Sequence, residues 1–272
     1  MTAKPHWTVD GLPWSELDPA KADPDALQLA KAAALVEYNG ELYAEYLCNV
    51  FHDDPLFQQA ARDWAVEEVQ HGEALGRWAA AVDPRWDFAG AVRRFRDGYK
   101  IELNRDQSVR GSLSGELIAR CIVETGTSSY YAALGQATQE PVFKAICRNI
   151  AADELRHYKL FYTHLRRYLE REGLGRLGRL RVALGRIRES EDDELAYAYY
   201  AANVDPAVPY DHAVCNRAYM GRAYRYYRAD LVDRAVGMVF KAAGLSPQGW
   251  LRHAASRAAW RFVDSRAKKL AA

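Results

Sequence analysis

The sequence, 272 residues long, predicts an all-α fold, a four-helix bundle with additional C-terminal helices. Three observations support this. Pro and Gly are sparse, and the stretches between them place apolar residues three and four apart, the period of an amphipathic helix. Asp23-Pro24, Asp54-Pro55 and Glu140-Pro141 each put proline where the first turn of a helix tolerates it. The long stretches also repeat as hairpin, crossover, hairpin, and no strand-like alternation competes with them.

In chain order, the first helix is expected over residues 24–52 and the second over 55–82, the two forming a helical hairpin. Asp83-Pro84 ends the second, and residues 86–104 make a connection with a shorter helix. The third helix covers residues 111–136 and the fourth 141–172, where Gly173 supplies a C-terminal stop. The chain then divides into an N-terminal extension (1–23), the bundle (24–172) and a helical C-terminal extension packed on it (173–272). That extension is expected to hold helices near 192–202, 211–240 with a break, and 246–265; its many tyrosines and arginines suggest no chemistry.

Composition narrows the function classes. The chain is 49% hydrophobic and 27% charged, and 37 Lys+Arg nearly cancel 36 Asp+Glu, so nothing in its bulk charge points to nucleic acid. The start lacks a basic patch followed by an apolar run, and no stretch approaches the ~20 apolar residues of a membrane span, so a cytoplasmic location is expected. Cys48, Cys121, Cys147 and Cys215 stand singly and read as reduced thiols, not as a metal or redox pair. Gly173-Leu174-Gly175-Arg176-Leu177-Gly178 spells a dinucleotide fingerprint, but between two helical segments it reads as a helix break. Between residues 166 and 189, eight arginines face three glutamates, a basic strip that reads first as a solvated face.

The chemistry lies in Glu-x-x-His, which occurs twice, as Glu68 to His71 and Glu154 to His157. Residues three apart share a helix face, so each pair can grip one metal ion. Each is preceded by a partner carboxylate: Glu37 lies 31 residues before Glu68, and Glu124 lies 30 before Glu154. In an antiparallel hairpin such an interval leaves ~14 residues, or ~20 Å of helix, above each loop, which sets both sites mid-bundle. Four glutamates and two histidines from four helices form the ligand set of dinuclear carboxylate bundles. Two divalent cations balance their charge, and hard oxygen with imidazole suits iron or manganese. Glu41, one turn beyond Glu37, competes with it; the matching interval favours Glu37. Glu67 and Asp153 each precede a ligand glutamate. Asp153 reads as an acceptor for the other half's histidine N–H, and Glu67 stays open between that role and an exposed helix acid.

Trp64-Ala65-Val66-Glu67-Glu68-Val69-Gln70-His71-Gly72 and Ile150-Ala151-Ala152-Asp153-Glu154-Leu155-Arg156-His157 resemble the iron-binding segments of the soluble acyl-carrier-protein desaturases, of the ferritin-like superfamily. The resemblance covers about residues 30–170 and leaves out the last hundred. It implies two iron ions at the six ligands, with manganese possible, and use of dioxygen to oxidise an unactivated C–H bond, foremost desaturation of a fatty-acyl chain on acyl-carrier protein. It places Thr127, three residues after Glu124, beside the oxygen-binding face, whereas a plain helix hydroxyl would bond its own backbone. It also places Trp64 on an electron route, the alternative being packing. It implies a homodimer and an external donor such as a ferredoxin, which Arg166, Arg167, Arg171, Arg176 and Arg179 could receive. A hydroxylase or oxidase of a free small metabolite is the alternative, with ferroxidase or iron storage and a metal-free interaction protein behind it.

Overall fold

The computed structural model describes residues 6–189 and 193–271. Among these the chain is all-α, with no strand. Eleven α-helices follow three short 3-10 turns: α1 (Pro24–Glu37), α2 (Gly40–Val50), α3 (Pro55–Val82), α4 (Phe88–Gly98), α5 (Leu113–Ala137), α6 (Pro141–Glu172), α7 (Arg176–Arg188), α8 (Asp193–Asn203), α9 (His212–Ala223), α10 (Ala229–Ala242) and α11 (Trp250–Ala271). None of the described helices is long and apolar enough to cross a membrane.

Four long limbs position the site. α1 and α2 run along α3, α5 pairs with α6, and α3 packs against α6 across the centre. Each limb starts on a built cap. The Asp23 side chain accepts from the Asp25 and Ala26 N–H groups, and Asp54 accepts from Phe57 N–H and the Tyr168 hydroxyl. Fully buried Glu140 accepts from Phe143 N–H, Trp78 Nε1 and the backbone of Asp18, which ties the N-terminal turns to the start of α6. At the other end of α6, Gly173 adopts φ +67°, the left-handed stop a side chain would resist.

The expected first helix, 24–52, is not continuous. It breaks at Tyr38-Asn39, because α3 presses closer here than side chains allow. A Cβ on Gly72 would lie 2.5 Å from the Tyr38 backbone nitrogen, and one on Gly40 would lie 2.5 Å from the Glu68 Cβ. Arg96 from α4 seals the break, donating from Nη2 to the Tyr38 carbonyl at 3.1 Å and from Nε to Asn39 Oδ1 at 3.2 Å. The stretch expected over 211–240 is likewise divided, into α9, a 3-10 turn at Tyr224–Tyr226, and α10.

The C-terminal helices complete the core. Ala196, Ala198 and Ala201 of α8 share one buried apolar cluster with Leu29 and Ala30 of α1, while α7 and α10 lie along α5. Cys121, Cys147 and Cys215 are buried free thiols and Cys48 is half-buried and free. The basic strip is partly consumed inside the fold. Arg167 pairs with Asp54, and Arg179 donates to the Ala242 carbonyl at 2.9 Å, whereas Arg166, Arg171 and Arg176 remain exposed.

Candidate metal centre

Glu37 closes the last turn of α1, Glu68 and His71 sit midway along α3, Glu124 sits midway along α5, and Glu154 and His157 sit midway along α6. All six are buried, His71 completely. They form two groups, Glu37, Glu68, His71 and Glu154 on one side and Glu68, Glu124, Glu154 and His157 on the other, the ligand atoms in each within 4.8 Å of one another. Glu68 and Glu154 belong to both groups. One terminal glutamate and one histidine flank the shared pair on each side, which is the arrangement a carboxylate-bridged dinuclear site requires. Glu41, the competitor of Glu37, is exposed and lines an outer groove between α2 and α3 with Arg62 and Glu73.

Both histidines point Nδ1 inward. His71 Nδ1 lies 3.3 Å from Glu154 and 3.7 Å from Glu37, and His157 Nδ1 lies 3.0 Å from Glu68 and 3.7 Å from Glu124. The outward nitrogens are held crosswise: His71 Nε2 bonds Asp153 on α6 at 2.9 Å, and His157 Nε2 bonds Glu67 on α3 at 2.9 Å. Each acid orients the histidine of the opposite half, fixing the tautomer that leaves Nδ1 as a lone-pair donor. Arg156 clamps the two acids together, reaching Asp153 Oδ1 at 2.5 Å and Glu67 Oε2 at 2.9 Å. Trp7 donates from Nε1 to Asp153 Oδ2 at 2.7 Å and lies parallel to the His71 ring, with centroids 6.0 Å apart. Trp64 stands edge-on to His157 at 6.3 Å.

Two hydroxyls finish the inner face. Tyr131, seven residues after Glu124, donates to Glu37 Oε1 at 2.5 Å. Thr127 bonds Glu154 Oε2 while also lying near its own helix carbonyls at Val123 and Glu124.

The electrostatics show a site short of positive charge. Burial, reinforced by Glu154 and Glu37, pushes the Glu68 carboxyl well up, and burial with Glu154 and Glu68 does the same to Glu124. Burial also opposes charge on His71, yet the hydrogen bond to Asp153 and the carboxylates of Glu154, Glu37 and Glu68 close by raise it well above an ordinary imidazole. Glu154 would likewise rise by burial, but His71, with Nδ1 3.3 Å away, and the charge of both histidines hold it at about 2. A single oxygen on each of Glu68, Glu124 and Glu154, and Nδ1 of both histidines, are buried with no hydrogen-bond partner. Unpaired buried acceptors are costly, and a cation answers all of them at once. The cluster can therefore hold metal ions, and its donors, carboxylate oxygen and imidazole nitrogen without thiolate, fit hard divalent ions.

A cavity of about 270 Å³ opens against this cluster, touching Glu37, Thr127 and Tyr131. Its far wall comes from the C-terminal region, with Glu194 and Leu195 on α8, Tyr219 and Met220 on α9, and Tyr227 beyond it. No protein-family model and no curated protein sequence matches this chain.

Sequence spacing brought forward the six cluster residues and Asp153, and the family resemblance brought forward Thr127 and Trp64. Neither brought forward Trp7, Tyr131, Arg156 or Glu194. Tyr131 carried a usable signal, since seven residues past Glu124 is two helical turns on the same face. Trp7 and Glu194 carried none, because each reaches the site from an element with no repeat relation to it.

Proposed function

We propose that this chain is a ferritin-like, non-haem di-iron oxidoreductase that uses dioxygen to oxidise a C–H bond of an organic molecule held in the cavity beside Glu37. One observation supports the reading above others: two buried donor groups share Glu68 and Glu154, and each adds one glutamate and one histidine. Glu37, Glu68, His71 and Glu154 would hold one ion and Glu68, Glu124, Glu154 and His157 the other, with manganese competing for the same donors. When bound, two ferrous ions supply electrons to dioxygen and the oxidising power to remove hydrogen from an unactivated carbon.

The chain's own residues prepare that event. Asp153 and Glu67 hold the histidine N–H protons, so the imidazoles stay fixed as ligands through turnover. Thr127, at the cavity edge, holds a proton against Glu154, and Tyr131 holds one against Glu37, the ligand nearest the cavity. Both protons are within reach of chemistry on the cavity side. The tyrosine- and methionine-containing wall gives the cavity a largely apolar lining beside the cluster. Electrons come from an external donor such as a ferredoxin, which the exposed Arg166, Arg171 and Arg176 can attract.

An organic substrate is favoured over iron storage because the cavity is largely apolar and adjoins the cluster on its Thr127 side. Desaturation of a carrier-linked acyl chain and hydroxylation of a free metabolite are the two forms the reaction can take; a double bond without oxygen incorporation marks the first, an added hydroxyl the second. Metal analysis after anaerobic ferrous loading tests the core of the reading. Two irons per chain, lost in Glu68→Ala and in Glu154→Ala, are expected. Wild-type protein that binds no iron, or variants that bind the full complement, would overturn it.

A further inference from the structure

The cavity beside the cluster holds a carboxylate that the cluster does not use. Glu194, in the first turn of α8, lines the cavity with Oε1 sealed from solvent and without a hydrogen-bond partner. The other carboxylates of the lining are committed: Glu37 to the metal cluster and the Tyr131 hydroxyl, Glu189 to Arg110 at 2.7 Å. Arg186 lies on the α7 side of the same lining, which also contains Tyr130, Tyr219 and Tyr227.

We propose that this cavity is the substrate site of the centre and takes a compact molecule of one ring with a short side chain, carrying a protonated amine that Glu194 anchors. The inference rests on the di-iron reading for the chemistry but not for the binding. Size points to a compact ligand. A cavity of about 150 Å³ accommodates benzene, and this one, at about 270 Å³, has room for one ring with a short side chain. Charge points to an amine. A buried acceptor without a donor is destabilising, and an ammonium group supplies both the donor and the counter-charge. Burial, with Glu37 nearby, pushes the Glu194 carboxyl up to about 7, so at neutral pH a cationic partner restores its charge at little cost. Tyr130, Tyr219 and Tyr227 in the same lining can pack on the ring, so ring and cation are accommodated in one cavity that touches Glu37 and Thr127.

Calorimetric titration of the protein, as purified and after anaerobic ferrous loading, with phenethylamine, 2-phenylethanol, 3-phenylpropionate and decanoate tests this. The amine is expected to bind at least about tenfold more tightly than the isosteric alcohol, with the two carboxylates weaker still, and Glu194→Gln is expected to bring amine and alcohol together. Alcohol, carboxylate or decanoate binding as tightly as the amine to wild-type protein would overturn the proposal, and that comparison needs no variant. An amine preference surviving intact in a folded Glu194→Gln protein would overturn it as well. Iron content of the same samples separates the two readings. Two irons without amine preference sink the substrate class alone, and amine preference without iron sinks the metal chemistry alone.

Discussion

Asp153 and Glu67 show how one residue's role can depend on a partner 80 or more positions away, since their histidines, His71 and His157, lie on the opposing helix. Loss of such an orienting carboxylate lowers metal affinity by about 10- to 100-fold. Asp153→Asn and Glu67→Gln are each expected to do so in a chelator competition, with two metals per chain still reached at saturation. Glu194 gives a pH test. Its carboxyl shares the cavity lining with Glu37 of α1, Arg186 of α7, Glu189 just beyond α7, Tyr130 and Tyr131 of α5 and Tyr219 of α9, and burial with Glu37 nearby raises it to about 7 from 4.5. Between those values the native state holds a proton the unfolded chain has released, so this group's contribution to stability is lost as pH rises. Glu194→Gln, neutral throughout, is expected to unfold like wild type near pH 4.5. By about pH 8 it should be more stable by about 3 kcal/mol, read by urea denaturation of metal-free protein.

Helix α3 and the α1/α2 break depend on glycine for a packing reason, and substitution separates the glycines that matter from those that do not. Alanine at Gly72 would drive its methyl into the Tyr38 backbone, which cannot swing aside as a side chain can. A loss of about 1–3 kcal/mol is expected for Gly72→Ala in urea unfolding, together with weaker metal binding, because Glu37 adjoins the displaced turn. Gly126 in α5 has nothing within 4 Å of where a Cβ would stand, so Gly126→Ala is expected to gain up to about 1 kcal/mol from helix propensity alone. Equal losses at both positions would contradict this account of close helix approach. The break also shows a limit of pattern reading. Apolar spacing runs on through Tyr38-Asn39, and a continuous helix was the fair expectation there; the distance to α3 is a property no single element carries.

At the scale of the molecule, every cluster ligand precedes Gly173, yet α8 and α9 cover α1 and wall the cavity. A chain ending at Gly173 is therefore expected to keep the ligands while exposing the face of Leu29 and Ala30. It should bind a hydrophobic dye and melt at a lower temperature than the whole chain. A truncated chain as stable as the parent would show that the C-terminal helices are not part of this core. Metal ions binding the native cluster but not the unfolded chain should stabilise the whole protein, by about 2.7 kcal/mol at a hundred times the dissociation constant. A midpoint unmoved by saturating ferrous ion under nitrogen would count against the cluster as a metal site.

Helical periodicity, the acid-proline starts and Gly173 were enough to locate the four long limbs, because caps, proline and glycine act on their own neighbours. The two Glu-x-x-His pairs and the repeated interval of 30 and 31 residues were enough to single out the six side chains that converge, because hairpin geometry turns sequence distance into height along a helix. The pairing of Glu67 with His157, the Trp7 bond to Asp153, the break after Glu37 and the arrival of Glu194 at the cavity were decided by tertiary packing. Each of these joins segments with no repeat or periodicity between them, so the information resides in how the helices are stacked and not in any stretch of chain.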